Sequence, residues 1–101
     1  MRFEWDSKKD RANRERRGLS FQEAAELFGA GVTYLTIYDD EHSDQEDRFI
    51  AIGPIKRGVI VVAYTERDDD VIRIFSARMA TKKERQRLEQ AYAEGCEPRD
   101  S

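Results

Sequence analysis

The sequence predicts an α+β fold: two N-terminal helices, a four- to five-stranded antiparallel sheet and one C-terminal helix. Three observations carry this. Capping-box patterns, Ser20-Phe21-Gln22-Glu23 and Thr81-Lys82-Lys83-Glu84, mark helix starts on both sides of the chain's middle. Between them, from Thr33 to Ala77, lie short runs of β-branched and aromatic residues. Their connections are too short for parallel crossovers, so an antiparallel meander is expected. At 101 residues the chain holds one domain, placed over 1–94. Residues 95–101 read as a disordered tail.

Phe3-Glu4-Trp5 alternates and is a strand candidate. Asp6 can cap a helix running to about Arg16, because its carboxylate accepts from free backbone N–H groups. Ala12 is that helix's only aliphatic residue, so a surface helix held by few contacts is expected. Gly18 supplies a left-handed stop. In the second helix Phe21, Ala24, Ala25 and Phe28 recur at i, i+3, i+4, i+7 and give one apolar face. Gly29 and Gly31 end it. They do not form a phosphate loop, since no strand–Gly-rich loop–helix order surrounds them.

Strands are expected at Thr33–Tyr38, Arg48–Ile52, Val59–Tyr64 and Val71–Ala77. An acidic loop at 39–47 and turns at Gly53–Gly58 and Arg67–Asp70 separate them. Val59–Tyr64 is apolar throughout, which fits a strand covered on both faces. The last helix carries Leu88, Ala91 and Tyr92 at helical spacing.

Hydrophobic and charged residues each make up 39% of the chain, so the core is small. No run approaches a membrane span, and the N-terminus has no signal-peptide core. A cytoplasmic protein without membrane contact is expected. The single Cys96 excludes an intramolecular disulfide and a cysteine-based zinc cluster. Basic and acidic groups nearly cancel, 18 against 21, but they are segregated. Residues 1–17 carry seven basic groups and four acids. Residues 39–47 carry six acids and no Lys or Arg. Residues 78–87 carry five basic groups and one acid. Two basic blocks suit RNA and the acidic block suits a basic partner; the same pattern also fits solvated helix faces and a polar loop.

Arginines that interrupt apolar strands need partners or strand ends. Arg48 starts its strand, Arg78 ends its own, and Arg67 ends the buried strand. In an antiparallel sheet such ends can meet at one rim, with Glu46, Glu66 and His42 near in sequence. Guanidinium forks match phosphate oxygens. Histidine is the side chain whose usual titration range suits proton transfer near neutrality, which makes His42 a candidate. Salt bridges to loop acids explain the arginines equally well, and a solvated loop explains His42. Metal binding by His42 with neighbouring acids lacks a specific spacing.

The order of short motifs resembles the BrnT toxin family. Phe3-Glu4-Trp5-Asp6, Lys9, Ala12-Asn13 and Gly18-Leu19-Ser20-Phe21-Gln22-Glu23-Ala24 resemble its opening. Asp40-Glu41-His42-Ser43, Glu46-Asp47-Arg48-Phe49 and Ile52-Gly53 are similar to its middle. Val61–Arg67, Arg73–Arg78, Ala80-Thr81 and Glu84-Arg85 are similar to its close. The resemblance spans residues 3 to about 92. It implies a RelE-like fold and a type II toxin: an endoribonuclease, without metal or cofactor, that inhibits translation by letting the RNA 2′-hydroxyl attack the adjacent phosphate. It also implies a BrnA-like ribbon-helix-helix antitoxin, a heterotetramer, and operator DNA bound through that antitoxin. By family position Lys9, Arg48, Arg67 and Arg78 carry over as active-site residues, with His42, Glu46 and Glu66 beside them. Lys8, Arg73, Lys82, Lys83 and Arg85 are the expected RNA contacts.

Two positions depart from the family pattern. Arg16-Arg17 stands where Lys-His is common, and Met79 where a basic residue is usual. A guanidinium stays protonated and cannot replace a histidine as base. The alternative is therefore a catalytically weakened toxin fold that binds its antitoxin and acts in operon autorepression. A plain RNA-binding domain ranks third, because no series of stacking aromatics is present.

Overall fold

The computed structural model describes residues 1–94 apart from 30, 32 and 45; at 42 and 69 it describes the backbone alone. The expected tail and Cys96 lie outside the described residues. The elements are β1 (Arg2–Glu4), α1 (Ser7–Arg17), α2 (Phe21–Gly29), β2 (Leu35–Tyr38), β3 (Phe49–Ile55), β4 (Gly58–Arg67), β5 (Val71–Met79) and α3 (Lys82–Ala93). Short 3-10 turns at Asp40–His42 and Asp68–Asp70 complete the order.

The α+β class and the five strands agree with the sequence. One pairing differs. The sheet order is β1-β5-β4-β3-β2, and β1 lies parallel to β5, with Glu4 opposite Arg73. The sheet is therefore mixed rather than wholly antiparallel. The meander expectation holds for β2 to β5. Helices α1 and α2 carry the chain from β1 at one edge to β2 at the other, and β1 meets β5 only after the meander has crossed back.

Local chemistry sets the helix ends. Asp6 accepts from the N–H groups of Lys8 and Lys9. Gly18 closes α1 at φ 68°, a left-handed conformation that disfavours side chains. Ser20 Oγ accepts from Glu23 N at 3.0 Å and Glu23 answers at Ser20 N at 3.1 Å. Thr81 and Glu84 form the same reciprocal pair at α3.

The expected turn over Gly53–Gly58 is shorter than its signals implied. Strand β3 runs on through Gly53-Pro54 to Ile55, leaving Lys56-Arg57 as a two-residue hairpin loop. Beyond Ile52 the β2 side of β3 is unpaired, so Pro54 lacks no ladder donor there. Gly53 is needed for a close approach. A Cβ on it would lie 2.5 Å from Leu27 Cδ1 and 2.7 Å from Tyr34 Cβ.

The sheet is covered on both faces. Against α2 lies the main core, with Phe21, Leu27, Phe28, Tyr34, Val62 and Tyr64 buried. Phe28 packs edge-on to Tyr34 and Tyr64, with ring centroids 5.3 and 4.9 Å apart. On the other face Ile52, Val61, Ala80 and Leu88 form a smaller cluster under α3. Strand β4 feeds both clusters, as its continuous apolar run implied. The smaller cluster covers only the half of that face near the β3–β4 hairpin and β2.

A β-bulge in β5 changes the alternation. Ala63 pairs with Ser76 but Tyr64 pairs with Ile74, so Phe75 is the extra residue. Ile74 and Ala77 both enter the main core as a result, although strict alternation places them on opposite faces. Beyond β1 the outer edge of β5 is bare, and α1 fills it. Asn13 Nδ2 donates to Ala77 O at 2.8 Å, Asn13 Oδ1 accepts from Ala77 N at 3.3 Å, and Asn13 Nδ2 also donates to Leu19 O at 2.7 Å. Asp10 Oδ1 accepts from Phe21 N at 2.8 Å and ties α1 to α2. No residue of α1 is buried, as its composition implied; the helix is held by polar bonds instead.

Asn13→Ala is expected to lower stability by about 2–3 kcal/mol, since three hydrogen bonds of about 1 kcal/mol each are lost. Asn13→Asp is expected to be at least as damaging, because a carboxylate would face two carbonyl oxygens. Gly53→Ala is expected to cost about 1–3 kcal/mol through overpacking against Leu27 and Tyr34. Urea midpoints of the three variants check these values.

Candidate nucleic-acid interface

On the α3 side of the sheet, the half that α3 leaves open carries polar and cationic residues. Alternation along each strand places Arg48, Thr65, Arg67 and Arg73 there, and the bulge adds Phe75 and Ser76. The guanidinium of Arg48 stacks on the Phe75 ring, 4.0 Å from its centroid. The Lys9 ammonium of α1 lies 5.6 Å from the same centroid. Phe75 thus joins α1 to the sheet face and holds two cations by their attraction to its π-electrons.

The strand-end arginines have different surroundings. Arg67 lies between Glu46, at 3.4 Å, and Glu4, at 3.6 Å; Arg73 reaches Glu4 at 3.8 Å. These pairs are partly exposed, so water screens them. Arg78 is bound by two 2.7 Å hydrogen bonds to the two carboxylate oxygens of Glu84, which also accepts from Thr81 N. Arg48 has no carboxylate partner among the described residues, and its Nε is buried without a hydrogen bond. Such a group is costly unless something else satisfies it.

The expected rim of three arginines does not form. Arg48 and Arg67 stand at one end of the β3–β4 pair. Arg78 is opposite Val61, while Arg67 is opposite Val71. Seven positions of β5 separate these rows, roughly 20 Å at the usual strand rise. Antiparallel pairing sends the start of β3 and the end of β5 to opposite ends of the sheet. Glu66 is also separated, since it pairs with Ile72 on the α2 face. Glu46 does join the site, through Arg67. His42 closes the 3-10 turn of the acidic loop, and its side chain lies outside the described residues.

Among the expected RNA contacts, Arg73 lies on the open face. Lys8 is exposed on the first turn of α1. Lys82, Lys83 and Arg85 are exposed at the start of α3, beside the Arg78 end, and Arg85 donates to Ala80 O at 3.2 Å. Sequence reasoning missed Phe75 and Glu4. An aromatic residue between Arg73 and Arg78 is the available signal for Phe75; nothing local signals Glu4.

The acidic loop is folded back on the site. Ser43 Oγ donates to Asp39 O at 2.6 Å and accepts from Arg48 N at 3.0 Å. Asp39 N donates to Arg48 O at 2.8 Å. Thr65 Oγ1 donates to Asp47 O. The loop therefore fixes the backbone of Arg48. Among the described residues no group of three or more His, Cys, Asp or Glu is placed to hold a metal ion. No described helix is long and apolar enough to cross a membrane.

The family described as ribonuclease toxin, BrnT, of type II toxin–antitoxin system matches residues 5–84. The fold is similar to a crystal structure of the Brucella abortus ribonuclease toxin, BrnT, with a TM-score of 0.63 and 24% identity. That match covers 81% of this chain and 99% of the other. No curated protein matches the sequence.

The Arg78–Glu84 pair makes a pH prediction. Hydrogen bonding to Arg78, above all, lowers the Glu84 carboxyl from 4.5 to about 2. The folded chain therefore holds the anion more strongly than the unfolded chain does. The pair's contribution is complete above pH 4.5 and drains as the pH falls towards about 2. Arg78 is partly exposed, so the contribution is about 1–2 kcal/mol. Glu84→Gln is expected to remove that amount at neutral pH and to flatten the acid limb of stability. Denaturant melts from pH 2 to pH 7 check this.

Proposed function

Because the chain belongs to the BrnT family, the ribonuclease toxins of type II toxin–antitoxin systems, we propose that it is an endoribonuclease whose reaction centres on Arg48. One observation carries the reading: Arg48 is stacked on Phe75 with a buried, unpartnered Nε and no described counter-ion. A guanidinium kept from carboxylates is available to a phosphate, and its fork matches two phosphate oxygens.

In the proposed reaction the RNA 2′-oxygen attacks the adjacent phosphorus and the bond to the 5′-oxygen breaks. The products are a 2′,3′-cyclic phosphate and a 5′-hydroxyl. Charge builds on the non-bridging oxygens, where Arg48 stabilises it. Glu46, paired with Arg67 at 3.4 Å, would accept the 2′-hydroxyl proton. Lys9, whose ammonium lies 5.6 Å from the Phe75 centroid, would supply the proton to the leaving oxygen. No step requires a metal. The toxin reading carries further proposals: inhibition of translation in the cytoplasm, and neutralisation by a BrnA-like ribbon-helix-helix antitoxin. The pair would form a heterotetramer that reaches operator DNA through the antitoxin.

One observation favours the second reading, a weakened toxin acting through antitoxin binding and autorepression. Two of the three strand-end arginines, Arg67 and Arg78, are already paired with carboxylates. RNA cleavage separates the readings.

Purified protein is expected to cleave single-stranded RNA to cyclic-phosphate ends. Arg48→Ala is expected to slow this about 10²–10³-fold, the usual loss on removing one transition-state donor. Arg48→Lys keeps the charge but loses the planar stack and the fork, so it is expected to recover little. Gel analysis of end-labelled RNA measures both. Intact RNA with the unaltered protein refutes the enzymatic reading, and equal rates for Arg48→Ala remove Arg48 from the mechanism.

A further inference from the structure

A crevice of about 220 Å³ opens between α1 and the bulge of β5, behind Phe75. Lys9, Arg16 and Arg17 line it from the helix, Phe75 and Ser76 from the strand, with Asn13 at its base. These helix positions follow the i, i+4, i+7, i+8 spacing, so one face of α1 is a cationic stripe. The stripe faces the strand edge because Asn13, in its middle, is bonded to Ala77.

The cations of the stripe are not neutralised. Arg14, off the stripe, pairs with Asp10 at 3.5 Å. Lys9, Arg16 and Arg17 have no ion-pair partner within 4 Å among the described residues, and the Lys9 ammonium lies over the Phe75 ring. Three cations around one concavity repel one another and attract an anion. The volume is below the roughly 300–1,000 Å³ of sites for drug-sized ligands, which suits a phosphate with part of its sugar. The crevice and Arg48 share one wall, Phe75.

We propose that this crevice is a second phosphate subsite for single-stranded RNA. Arg16, Arg17 and the Ser76 hydroxyl grip a backbone phosphate next to the one held at Arg48, and the strand passes over Phe75. The inference rests on the reading of the open sheet face as an RNA site. It assigns Arg16 and Arg17 a binding role without proton transfer, which is the role a permanently charged guanidinium can fill.

The test is binding rather than cleavage. A fluorescein-labelled, fully 2′-O-methylated RNA decamer lacks the attacking hydroxyl and stays intact. Its affinity is followed by anisotropy across a salt series. Each phosphate contact on single strands contributes about 0.7 to the slope of log affinity against log salt. The double variant Arg16→Ala, Arg17→Ala is expected to lower the slope by about 0.7, the loss of one phosphate contact. Lys56→Ala with Arg87→Ala removes the same charge elsewhere on the surface and is expected to keep the wild-type slope. The two stripe arginines are exposed and unpaired, so folding is expected to survive, as a thermal melt of each variant checks. Arg17→Gln alone is expected to fall between wild type and the double variant. An unchanged slope in the double variant, an equal fall in the control, or no binding by the unaltered protein at low salt overturns the subsite. Binding through the crevice without cleavage of unmodified RNA would refute the ribonuclease and leave the subsite standing. Cleavage with an unchanged slope would do the reverse.

Discussion

The attachment of α1 to the bare edge of β5 through Asn13 is the constraint on which the site depends. Strand β1 pairs with only three residues of β5. Past the bulge at Phe75, Ala77 presents an N–H and a carbonyl with no strand beside them. The Asn13 amide satisfies both, as one residue of a neighbouring strand would do. Backbone groups so placed must find partners. A helix with no apolar face is thereby fixed against a sheet. Its cationic stripe is aimed at Phe75, and Asp10 is brought to the open N–H of Phe21. Had β1 continued along β5, its backbone would occupy this edge and exclude α1.

Charge is then sorted by geometry rather than by composition. A net charge of −3 says little about RNA. Three arginines that look equivalent in sequence have three environments. Arg78 anchors the first turn of α3 through Glu84, Arg67 is held between Glu4 and Glu46, and Arg48 rests on an aromatic ring. The acidic loop contributes to this sorting. Among the described residues of the loop only Glu46 pairs with a strand-end arginine, while Ser43 and the Asp39 backbone fix the main chain of Arg48. The loop therefore positions Arg48 without neutralising it.

What was legible in the sequence is what is decided locally. Asp6, Gly18, Ser20 with Glu23 and Thr81 with Glu84 do at the helix ends what their chemistry implies. The apolar run of β4 is covered on both faces. The rest depends on pairings distant in sequence. Three residues of β1 carry no sign of a parallel partner. The bulge puts Ile74 and Ala77 on one face, so counting by twos fails at the point where the site is built. The grouping of strand-end arginines fails for a related reason, since register decides which ends meet. A mid-helix asparagine in a helix without apolar residues was a usable signal. Asparagine is disfavoured in helix interiors because its side chain seeks backbone partners, and here it finds them on another element.

Four cations gather around Phe75. Some cations elsewhere are paired, Arg14 with Asp10, Arg57 with Glu23 and Arg78 with Glu84, while others such as Lys56, Lys82 and Lys83 are exposed without an ion pair among the described residues. Arg48 keeps a buried donor without an acceptor, and Lys9, Arg16 and Arg17 face a concavity without a described carboxylate. The last turn of α1 tolerates Arg16 and Arg17, because cations suit the negative end of a helix dipole. That explains why they do not disrupt the helix, but it leaves their mutual repulsion uncompensated. A sequence with 21 acids has ample means to neutralise four cations. A buried unpartnered donor and several unpaired cations gathered around one ring are what is expected where binding rather than folding sets the residues. An anion seated here would supply these cations with the missing charge. By mass action its binding would also stabilise the fold that presents them.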